Sequence, residues 1–466
     1  MADVLPRLEA ELGEIVASDA ETLDAHRHDS WMLADLMDLQ GNPAPRPLAV
    51  VRARSADDVS RTLRLCRELS LPVIPFGGGS GVCGAVEASP EVLVLSTRGL
   101  DGLVSLDDES LTAAFRAGTM GGEAERIVQR DGLTIGHWPQ SIELSTVGGW
   151  VATRAAGQYS TGYGSIEDMV LSLEAVLPDG SRLRTRPTPR ASAGPDLRHL
   201  LMGSEGTLGV VTEVTFSLRP LPEASQGQVF HFPDLGSGLD PIRHVMRQGW
   251  RPPVVRLYDA PESHRHFGEW IDEDRAALVL LHEGPRALVD VELAAVAALC
   301  RDAGGVEADA AIVDHWLEHR NNVPSFRELL EAGLVVDTIE VGAVWERIGA
   351  VYDAVIGSLL EVPSIRSATA HSSHSYRSGT NLYFTFVARP GDRAEMADVY
   401  RECWRRAVEA TLEQGGGIAH HHGIGRVRRD FLAREIGEGG VAVLRAVKAA
   451  LDPQGLLNPG ALLPER

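Results

Sequence analysis

The chain has 466 residues, of which 44% are hydrophobic and 23% charged, and its formal net charge is −21 at pH 7. This composition is typical of a soluble globular protein, and the length predicts two domains or one large domain with an inserted cap. The negative charge disfavours nucleic acid and anionic membranes as general partners. The four cysteines lack disulfide or metal spacing, which indicates a reducing compartment, the cytoplasm, and no structural zinc.

The N-terminal residues predict an acidic amphipathic helix rather than a signal peptide, and no apolar run approaches the length of a membrane span.

A β-α-β unit follows the N-terminal helix. PLAVVRA (47–53) predicts a strand, Ser55 begins a helix whose apolar residues recur at helical spacing, and PVIPF (72–76) predicts a second strand. That strand runs directly into the glycine-rich residues 77–81. Such a loop reaches positive φ and brings backbone N–H groups close to a pyrophosphate, so we favour a phosphate-binding loop over a plain turn.

Residues 79–84, GSGVCG, match the GxGxxG pattern of nicotinamide-binding folds. That fold requires a crossover helix before the next strand, whereas only AVEASP separates this loop from EVLVLST (91–97). The match is therefore accidental. The sequence also lacks GxxxxGK[ST], which disfavours a nucleoside triphosphatase.

Further along, the pattern predicts a hairpin that turns at Asp179-Gly180, a strand with a proline-marked exit at 206–222 and a domain boundary near residue 220. Beyond this boundary, long helical patterns alternate with strands, which indicates an α+β cap. The predicted strands are 111–118, 276–283 and 380–388, and the predicted helices are 122–132, 289–304, 341–360 and 439–453.

Three separated motifs, PFGGGSGVCGA (75–85), the polar glycine-rich segment 136–170 and SEGTLGVVTEV (204–214), occur in this order. Together they resemble the FAD-binding vanillyl-alcohol oxidase and p-cresol methylhydroxylase family, and within it the alkyldihydroxyacetonephosphate (alkylglycerone-phosphate) synthases. The resemblance implies an α+β fold with a two-subdomain FAD-binding domain of the p-cresol methylhydroxylase type and an α+β cap domain with an antiparallel sheet. The implied divisions are an N-terminal helical segment (1–42), the FAD-binding domain (43–220), the cap (221–415) and a C-terminal segment that returns to the FAD-binding domain (416–466).

The resemblance also implies that FAD is bound without a covalent link, with its pyrophosphate at the glycine loop. Ser145 and Thr146 have a second interpretation as a helix N-cap, and both roles are compatible because a helix N-terminus binds anions. The implied cofactor-binding residues are Pro75, Phe76, Gly77, Gly78, Gly79, Ser80, Gly81, Gln140, Ser141, Glu143, Ser145, Thr146, Thr153, Arg154, Ala155, Ala156, Glu205, Gly206, Thr207, Leu208, Gly209, Val210 and Val211.

The stretch IAHHHGIG (418–425) contains three consecutive histidines. In an extended segment, His420 and His422 would face one side and His421 the other, so we predict no metal site here. The resemblance implies that His420, His421 and His422 lie beside the flavin, and it adds Tyr383, Arg320 and Arg256 as functional residues. Each has a plain alternative, namely a surface histidine, a buried tyrosine ring or an ordinary ion pair.

A phenol or imidazole of lowered pKa suits proton abstraction beside a carbonyl, and arginines bind carboxylates or phosphates. Tyr383 would then be the base. The resemblance implies exchange of an acyl for an alkoxy group on a dihydroxyacetone phosphate ester through an adduct at flavin N5, and it predicts a hydrophobic tunnel in the cap. HWPQ (137–140) and TRAA (153–156) depart from the synthase pattern, which leaves the substrate open.

The alternative is an FAD-linked oxidoreductase of a 2-hydroxy acid such as D-lactate or glycolate, or of a related alcohol. A flavin-free metal-binding module ranks far behind both. As partners we expect a small-molecule or lipid-precursor substrate, no nucleic acid and a homodimer. We expect no transmembrane segment, and a peripheral membrane contact stays open.

Overall fold

The computed structural model describes residues 3–322 and 326–464, so that the outer ends of the predicted first and last segments, residues 1–2 and 465–466, lie outside it. Its helices are α1 Val4–Leu12, α2 Ala20–Asp24, α3 Met32–Leu39, α4 Ala56–Leu69, α5 Gly121–Gln129, α6 Val147–Thr153, α7 Ser160–Tyr163, α8 Ile166–Met169, α9 Leu197–Leu201, α10 Leu235–Gln248, α11 Ala260–Phe267, α12 Arg286–Asp302, α13 Ala311–His319, α14 Phe326–Glu331, α15 Trp345–Leu360, α16 Met396–Glu413 and α17 Leu432–Leu451.

Within these described residues, the strands form a four-stranded, a five-stranded and a seven-stranded sheet and one short two-stranded pair. They are β1 Val16–Ala17, β2 Ala49–Arg52, β3 Val73–Phe76, β4 Leu93–Ser96, β5 Leu103–Asp107, β6 Thr112–Arg116, β7 Leu133–Thr134, β8 Val170–Val176, β9 Arg182–Arg184, β10 Val210–Ser217, β11 Arg219–Pro220, β12 Ala224–Phe232, β13 Val254–Tyr258, β14 Ala276–Gly284, β15 Val306–Glu307, β16 Val335–Val344, β17 Ile365–Ser372 and β18 Gly379–Ala388.

The first sheet has the order β1-β2-β4-β3, with β2 and β3 parallel to β4. The predicted β-α-β unit is confirmed: Ser55 caps α4 by accepting a hydrogen bond from the Asp58 N–H at 3.1 Å. The apolar face of α4, including Val59 and Leu63, is buried against this sheet. Because β3 ends at Phe76, the glycine loop lies at the carboxyl end of a parallel strand, which is where open α/β sheets bind ligands.

The second sheet has the order β5-β6-β10-β8-β9 and is antiparallel throughout. The predicted hairpin at Asp179-Gly180 is confirmed by the pairing of β8 with β9, and Gly180 has a φ of +80°. A hydrophobic cluster around Phe115, Trp150 and Phe216 holds α6 against this sheet. The packing of α6 fixes the N-terminal end of that helix near the glycine loop.

The cap is built on an antiparallel sheet of order β15-β12-β14-β13-β17-β18-β16. The largest hydrophobic cluster lies between this sheet and the helices α10, α12, α15 and α16. The predicted helix over 341–360 is wrong at its start. Residues 341–344 belong to β16 because they pair with β18, and the helix begins at Trp345. A buried strand partner here outweighs the helical periodicity of the sequence.

The C-terminal segment packs against the glycine-loop region. The carboxylate of Glu205 accepts hydrogen bonds from the N–H groups of Ile424 and Gly425 at 2.6 and 2.8 Å. Arg426 donates to the carbonyl oxygen of Gly84 at 2.8 Å. These contacts place the histidine triplet between the cap sheet and the glycine-loop region. The domain boundary near residue 220 stays a prediction, although strand pairing changes there from β11 with β7 to β12 with β14.

Candidate active site

The glycine loop after β3 offers free backbone donors. Within the described residues, the N–H groups of residues 77–81 donate no hydrogen bond. A β-carbon at Gly78 would lie 2.2 Å from the carbonyl oxygen of Leu144, and one at Gly77 would lie 2.7 Å from Thr146 Oγ1. The loop is therefore pressed against residues 144–146 as only glycine allows. Unpaired amides that follow a strand fit a pyrophosphate.

The other two sequence motifs meet this loop. The predicted N-cap at Thr146 is confirmed, since its Oγ1 accepts from the Gly149 N–H at 3.1 Å and begins α6. Gly206, at a φ of +71°, is so close to Pro75 that a β-carbon there would lie 2.9 Å from Pro75 Cγ. The three motifs, far apart in sequence, thus meet in one place.

Several predicted cofactor residues are engaged by the protein itself. Glu143 forms an ion pair with Arg126 at 2.8 Å on the surface. The side chains of Leu208, Val210 and Val211 are buried in hydrophobic clusters, which leaves only their backbone for a ligand.

The remaining predicted residues make local contacts. Ser145 Oγ donates to the carbonyl oxygen of Ser141 at 2.8 Å, Thr153 Oγ1 to that of Gly149 at 3.0 Å, and Thr207 Oγ1 to that of Ser204 at 2.7 Å. Gln140 donates to the Asn322 carbonyl oxygen at 3.4 Å. Arg154 has a φ of +60°, and its Nη2 lies 3.6 Å from Glu167 Oε1. The side chain of Ala155 is half-buried, and Ala156 and Gly209 are buried.

The histidine triplet is bent rather than extended. His420 Nδ1 lies 2.9 Å from His421 Nδ1, and both rings lie 5.0 Å from the ring of His374. His422 points away, with Nδ1 2.9 Å from Glu340 Oε2. The prediction that His420 and His422 share a side is therefore wrong, because the chain turns at these residues. One nitrogen from each of His374, His420 and His421 lies within 4.8 Å of the others, a spacing that a metal ion could bridge.

The bend is held by the buried carboxylate of Glu340. Its Oε1 accepts hydrogen bonds from the N–H groups of His421 and His422 at 3.2 and 2.8 Å, and Arg428 donates to its Oε2. Burial alone would raise the pKa of Glu340, but the Arg428 guanidinium and the His422 ring hold that pKa well below its usual value. The carboxylate is thus ionised and fixes the triplet from β16.

Tyr383 lies on β18 opposite Glu340, and its ring centroid is 5.5 Å from that of His422 and 6.1 Å from that of His421. Thr338 Oγ1 donates to the Tyr383 hydroxyl at 2.9 Å. Burial raises the pKa of Tyr383. The expected lowering of this pKa is therefore wrong, because the charge of Arg256 lowers it by less than the desolvation of the phenol raises it.

The histidines show the opposite effect. Burial lowers the pKa of His420 to about 4, and burial together with His422 and His374 lowers the pKa of His421 well below its usual value. Both imidazoles are therefore neutral near pH 7. A neutral imidazole has a nitrogen that can accept a proton, which an un-ionised phenol lacks, but the lowered pKa makes each of these histidines a weaker base than a free imidazole.

Arg256 and Arg320 flank the ring of Trp316, at 5.6 and 5.9 Å from its centroid. Among the described residues neither guanidinium has a carboxylate within ion-pair distance, so the alternative of ordinary ion pairs does not apply. Arg320 donates to Gln158 Oε1 at 2.5 Å, and Arg256 lies 2.7 Å from His371 Nε2. One buried and one half-buried cation without a counter-ion favour an anionic ligand.

The sequence interpretation missed His371, His374, Glu340 and Arg428. Only the two histidines had a signal, the run HSSHS (371–375) between two strand patterns. Glu340 and Arg428 look like ordinary surface charges in the sequence, because their pairing joins β16 to the distant C-terminal segment.

Residues 47–186 match the family described as FAD binding domain, and residues 221–462 match the one described as FAD linked oxidases, C-terminal domain. The protein belongs to the FAD-linked oxidase family. FAD is therefore its cofactor, as predicted, and the protein is an enzyme, while the absence of a covalent link stays a prediction.

The family member YgcU of Escherichia coli K12, an uncharacterized FAD-linked oxidoreductase, is 34% identical over 435 residues, 90% of each chain. The alkyldihydroxyacetonephosphate synthase of Dictyostelium discoideum is 30% identical over 468 residues, 93% of this chain and 76% of the relative. The glycolate oxidase subunit GlcD of Bacillus subtilis is 26% identical over 428 residues, 89% of each chain.

Solved structures confirm the predicted fold class. A structure of alkyldihydroxyacetonephosphate synthase matches with a TM-score of 0.80 at 24% identity, covering 98% of this chain and 86% of that one. Substrate-bound p-cresol methylhydroxylase matches with a TM-score of 0.76 at 16% identity, covering 98% and 96%. In the described part of this chain, no helix combines the length and apolar character that a membrane span requires.

Proposed function

We propose that the protein is an alkylglycerone-phosphate synthase-like enzyme that replaces the acyloxy group of an acyl-dihydroxyacetone phosphate, released as the fatty acid, with the alkoxy group of a fatty alcohol. The observation that carries this proposal is the pair of Arg256 and Arg320, which have no carboxylate partner among the described residues and lie on the cap side of the histidine cluster. Two guanidinium groups match the charge and the oxygen geometry of a phosphate ester. The 30% identity with a synthase over most of both chains supports the same reaction.

In this proposal the amides of residues 77–81 would hold the FAD pyrophosphate, and the flavin, when bound, would supply the organic chemistry of the exchange. Arg256 and Arg320 bind the phosphate of the substrate. His421, neutral and hydrogen-bonded to His420, accepts the proton from the carbon beside the carbonyl. Tyr383 acts as an un-ionised phenol. Its oxygen accepts from Thr338, so its own proton is available to a substrate oxygen.

A second candidate is FAD-linked oxidation of a 2-hydroxy acid such as D-lactate or glycolate, or of a related alcohol. The same arginines would bind the carboxylate, and a neutral histidine would take the hydroxyl proton. The glycolate oxidase subunit GlcD of Bacillus subtilis, 26% identical over 428 residues, supports this candidate. The hydrophobic tunnel expected for the transferase stays a prediction.

The test is the visible spectrum of the purified protein under anaerobic conditions, before and after separate additions of D-lactate, glycolate and an acyl-dihydroxyacetone phosphate. Perturbation of the flavin by the phosphate ester alone, without lasting reduction, supports the transferase. Full bleaching by a hydroxy acid supports the oxidoreductase instead. A protein that cannot be loaded with FAD would refute both.

Arginine variants sharpen the assignment. Arg256→Gln and Arg320→Gln should each weaken the response to the active substrate. Arg301→Gln is the matched control, since Arg301 lies in the cap but pairs with Glu307 at 2.6 Å on the surface. An equal loss in all three variants would contradict the role given to Arg256 and Arg320.

A further inference from the structure

His371 lies on β17 between two charged groups that fix its protonation. Its Nε2 is 2.7 Å from Arg256 Nη2, and its Nδ1 is 3.1 Å from Glu262 Oε1. A guanidinium only donates hydrogen bonds, so Nε2 must be the acceptor. The single ring proton therefore sits on Nδ1 and is donated to Glu262. His371 is a neutral imidazole in one defined tautomer.

The same contact orients the guanidinium of Arg256. Its Nε donates to the Tyr258 hydroxyl at 2.9 Å, and its Nη2 donates to His371. Nη1 has no hydrogen-bond partner among the described residues. Two of the three nitrogens are thus anchored by neutral acceptors, which leaves the positive charge uncompensated and the third nitrogen free for an anion.

The surroundings of His371 keep this arrangement in place. Glu262 is buried on α11 and is also 3.0 Å from Arg265 Nη2 and 3.7 Å from His266 Nε2. On the other side, the ring of His371 stacks on Tyr383 with centroids 5.0 Å apart and planes at 24°. Burial lowers the pKa of His371 to about 4, which keeps the ring neutral at physiological pH.

We propose that His371 is a positioning residue that holds Arg256 in the orientation that receives the substrate anion. Glu262 acts behind it by holding the tautomer. This inference rests on the proposed function, since Arg256 is the group assigned there to the substrate phosphate or carboxylate. A direct carboxylate partner would neutralise Arg256, whereas a neutral imidazole orients the guanidinium and leaves its charge to the ligand.

The test is calorimetric titration of the FAD-loaded enzyme with inorganic phosphate and with oxalate. His371→Leu removes the acceptor and should weaken binding by about tenfold or more, the usual effect of losing a charge-assisted hydrogen bond. His371→Gln should retain affinity within about threefold, because its amide oxygen can accept from Arg256 while its amide nitrogen donates to Glu262. In an Arg256→Gln background, His371→Leu should have no further effect, since His371 acts through that arginine.

His282→Leu is the matched control. His282 is also a fully buried histidine of the cap sheet that pairs with a carboxylate, with Nδ1 2.8 Å from Glu292 Oε2, but it contacts no residue of the proposed site. Its replacement should leave anion affinity unchanged. Wild-type affinity in His371→Leu, an equal loss in His282→Leu, or no anion binding by the wild type would each overturn the inference.

The failure of this inference is distinguishable from failure of the proposed function. If a substrate perturbs the flavin while His371→Leu binds phosphate as the wild type does, only the positioning role falls. If the protein cannot be loaded with FAD, the proposed function falls before any anion is titrated.

Discussion

Glu340 and Arg428 form a fully buried ion pair that joins strand β16 of the cap to the C-terminal segment. The guanidinium also donates to the carbonyl oxygen of Gly423 at 2.7 Å and lies 4.8 Å from the centroid of Trp404. The carboxylate holds the backbone of His421 and His422. A single pair thus fixes the place where cap and histidine triplet meet.

Glu340→Gln should destabilise the protein by about 3–5 kcal/mol, because it leaves the buried Arg428 without its counter-charge. The free energy of unfolding in urea measures this. The matched control is Glu307→Gln, which breaks an exposed pair with Arg301 and should cost at most about 1 kcal/mol. A similar loss of unfolding free energy in the two variants would show that the buried pair stabilises the protein no more than the exposed pair does.

Gly78→Ala should abolish or strongly weaken FAD binding, since a β-carbon would lie 2.2 Å from the Leu144 carbonyl oxygen and push the loop away from residues 144–146. Fluorescence titration of the apoprotein with FAD measures the affinity. Gly357→Ala serves as the control, because Gly357 lies in α15 and a β-carbon there would have no atom within 4 Å. That change should leave FAD affinity unchanged and add up to about 1 kcal/mol of stability. Unaltered affinity in Gly78→Ala would remove the glycine loop from the cofactor site.

His421→Gln should lower turnover by about 10²–10⁴-fold if His421 is the base. Tyr383→Phe should cost only about tenfold, the effect of one hydrogen bond, because burial raises the pKa of Tyr383 and disfavours a phenolate. Rates are measured with the substrate that perturbs the flavin. Tyr352→Phe controls for the loss of a tyrosine hydroxyl. The Tyr352 hydroxyl donates a hydrogen bond to Asp259 Oδ2 at 3.2 Å and is not part of the histidine triplet. A greater loss in Tyr383→Phe than in His421→Gln would return the role of base to the phenol.

The destabilisation caused by His420→Gln should shrink as the pH falls. The folded-state pKa of His420 is about 4, below the value of about 6.5 in an unfolded chain. Below pH 6.5 the unfolded wild type therefore binds a proton that the folded wild type does not, and the wild type loses stability relative to the variant. The free energy of unfolding of the wild type minus that of the variant should fall by about 1.4 kcal/mol for each unit by which the pH drops from 6.5 to 4.

Urea unfolding of both proteins at several pH values measures this difference. Comparison with the variant is needed because burial raises the pKa of Asp29 and of Glu205 to about 7, and these carboxyls act in the opposite sense. Their contributions cancel in the difference. A difference that is constant with pH would contradict a neutral His420 in the folded state.

The parts of the fold that follow local rules were predictable from the sequence. Ser55 at a helix start, the turn at Asp179-Gly180 and the glycine loop after β3 each depend on residues within a few positions of one another. The helix predicted from residue 341 failed at its first turn, because residues 341–344 pair with a strand that no local pattern reveals. Periodicity could not weigh that distant partner.

The sequence by itself predicted that the glycine loop binds the cofactor and identified Tyr383, Arg256, Arg320 and the histidine triplet as candidates for one site. Only the tertiary structure decided how they are used. It bends the triplet so that His420 and His421 meet His374, and it buries the phenol of Tyr383 so that its pKa rises. It also leaves Arg256 and Arg320 without counter-ions in the part of the chain that the structure describes. The physical reason is that burial and charge pairing depend on neighbours from distant parts of the chain, which spacing along the sequence does not encode.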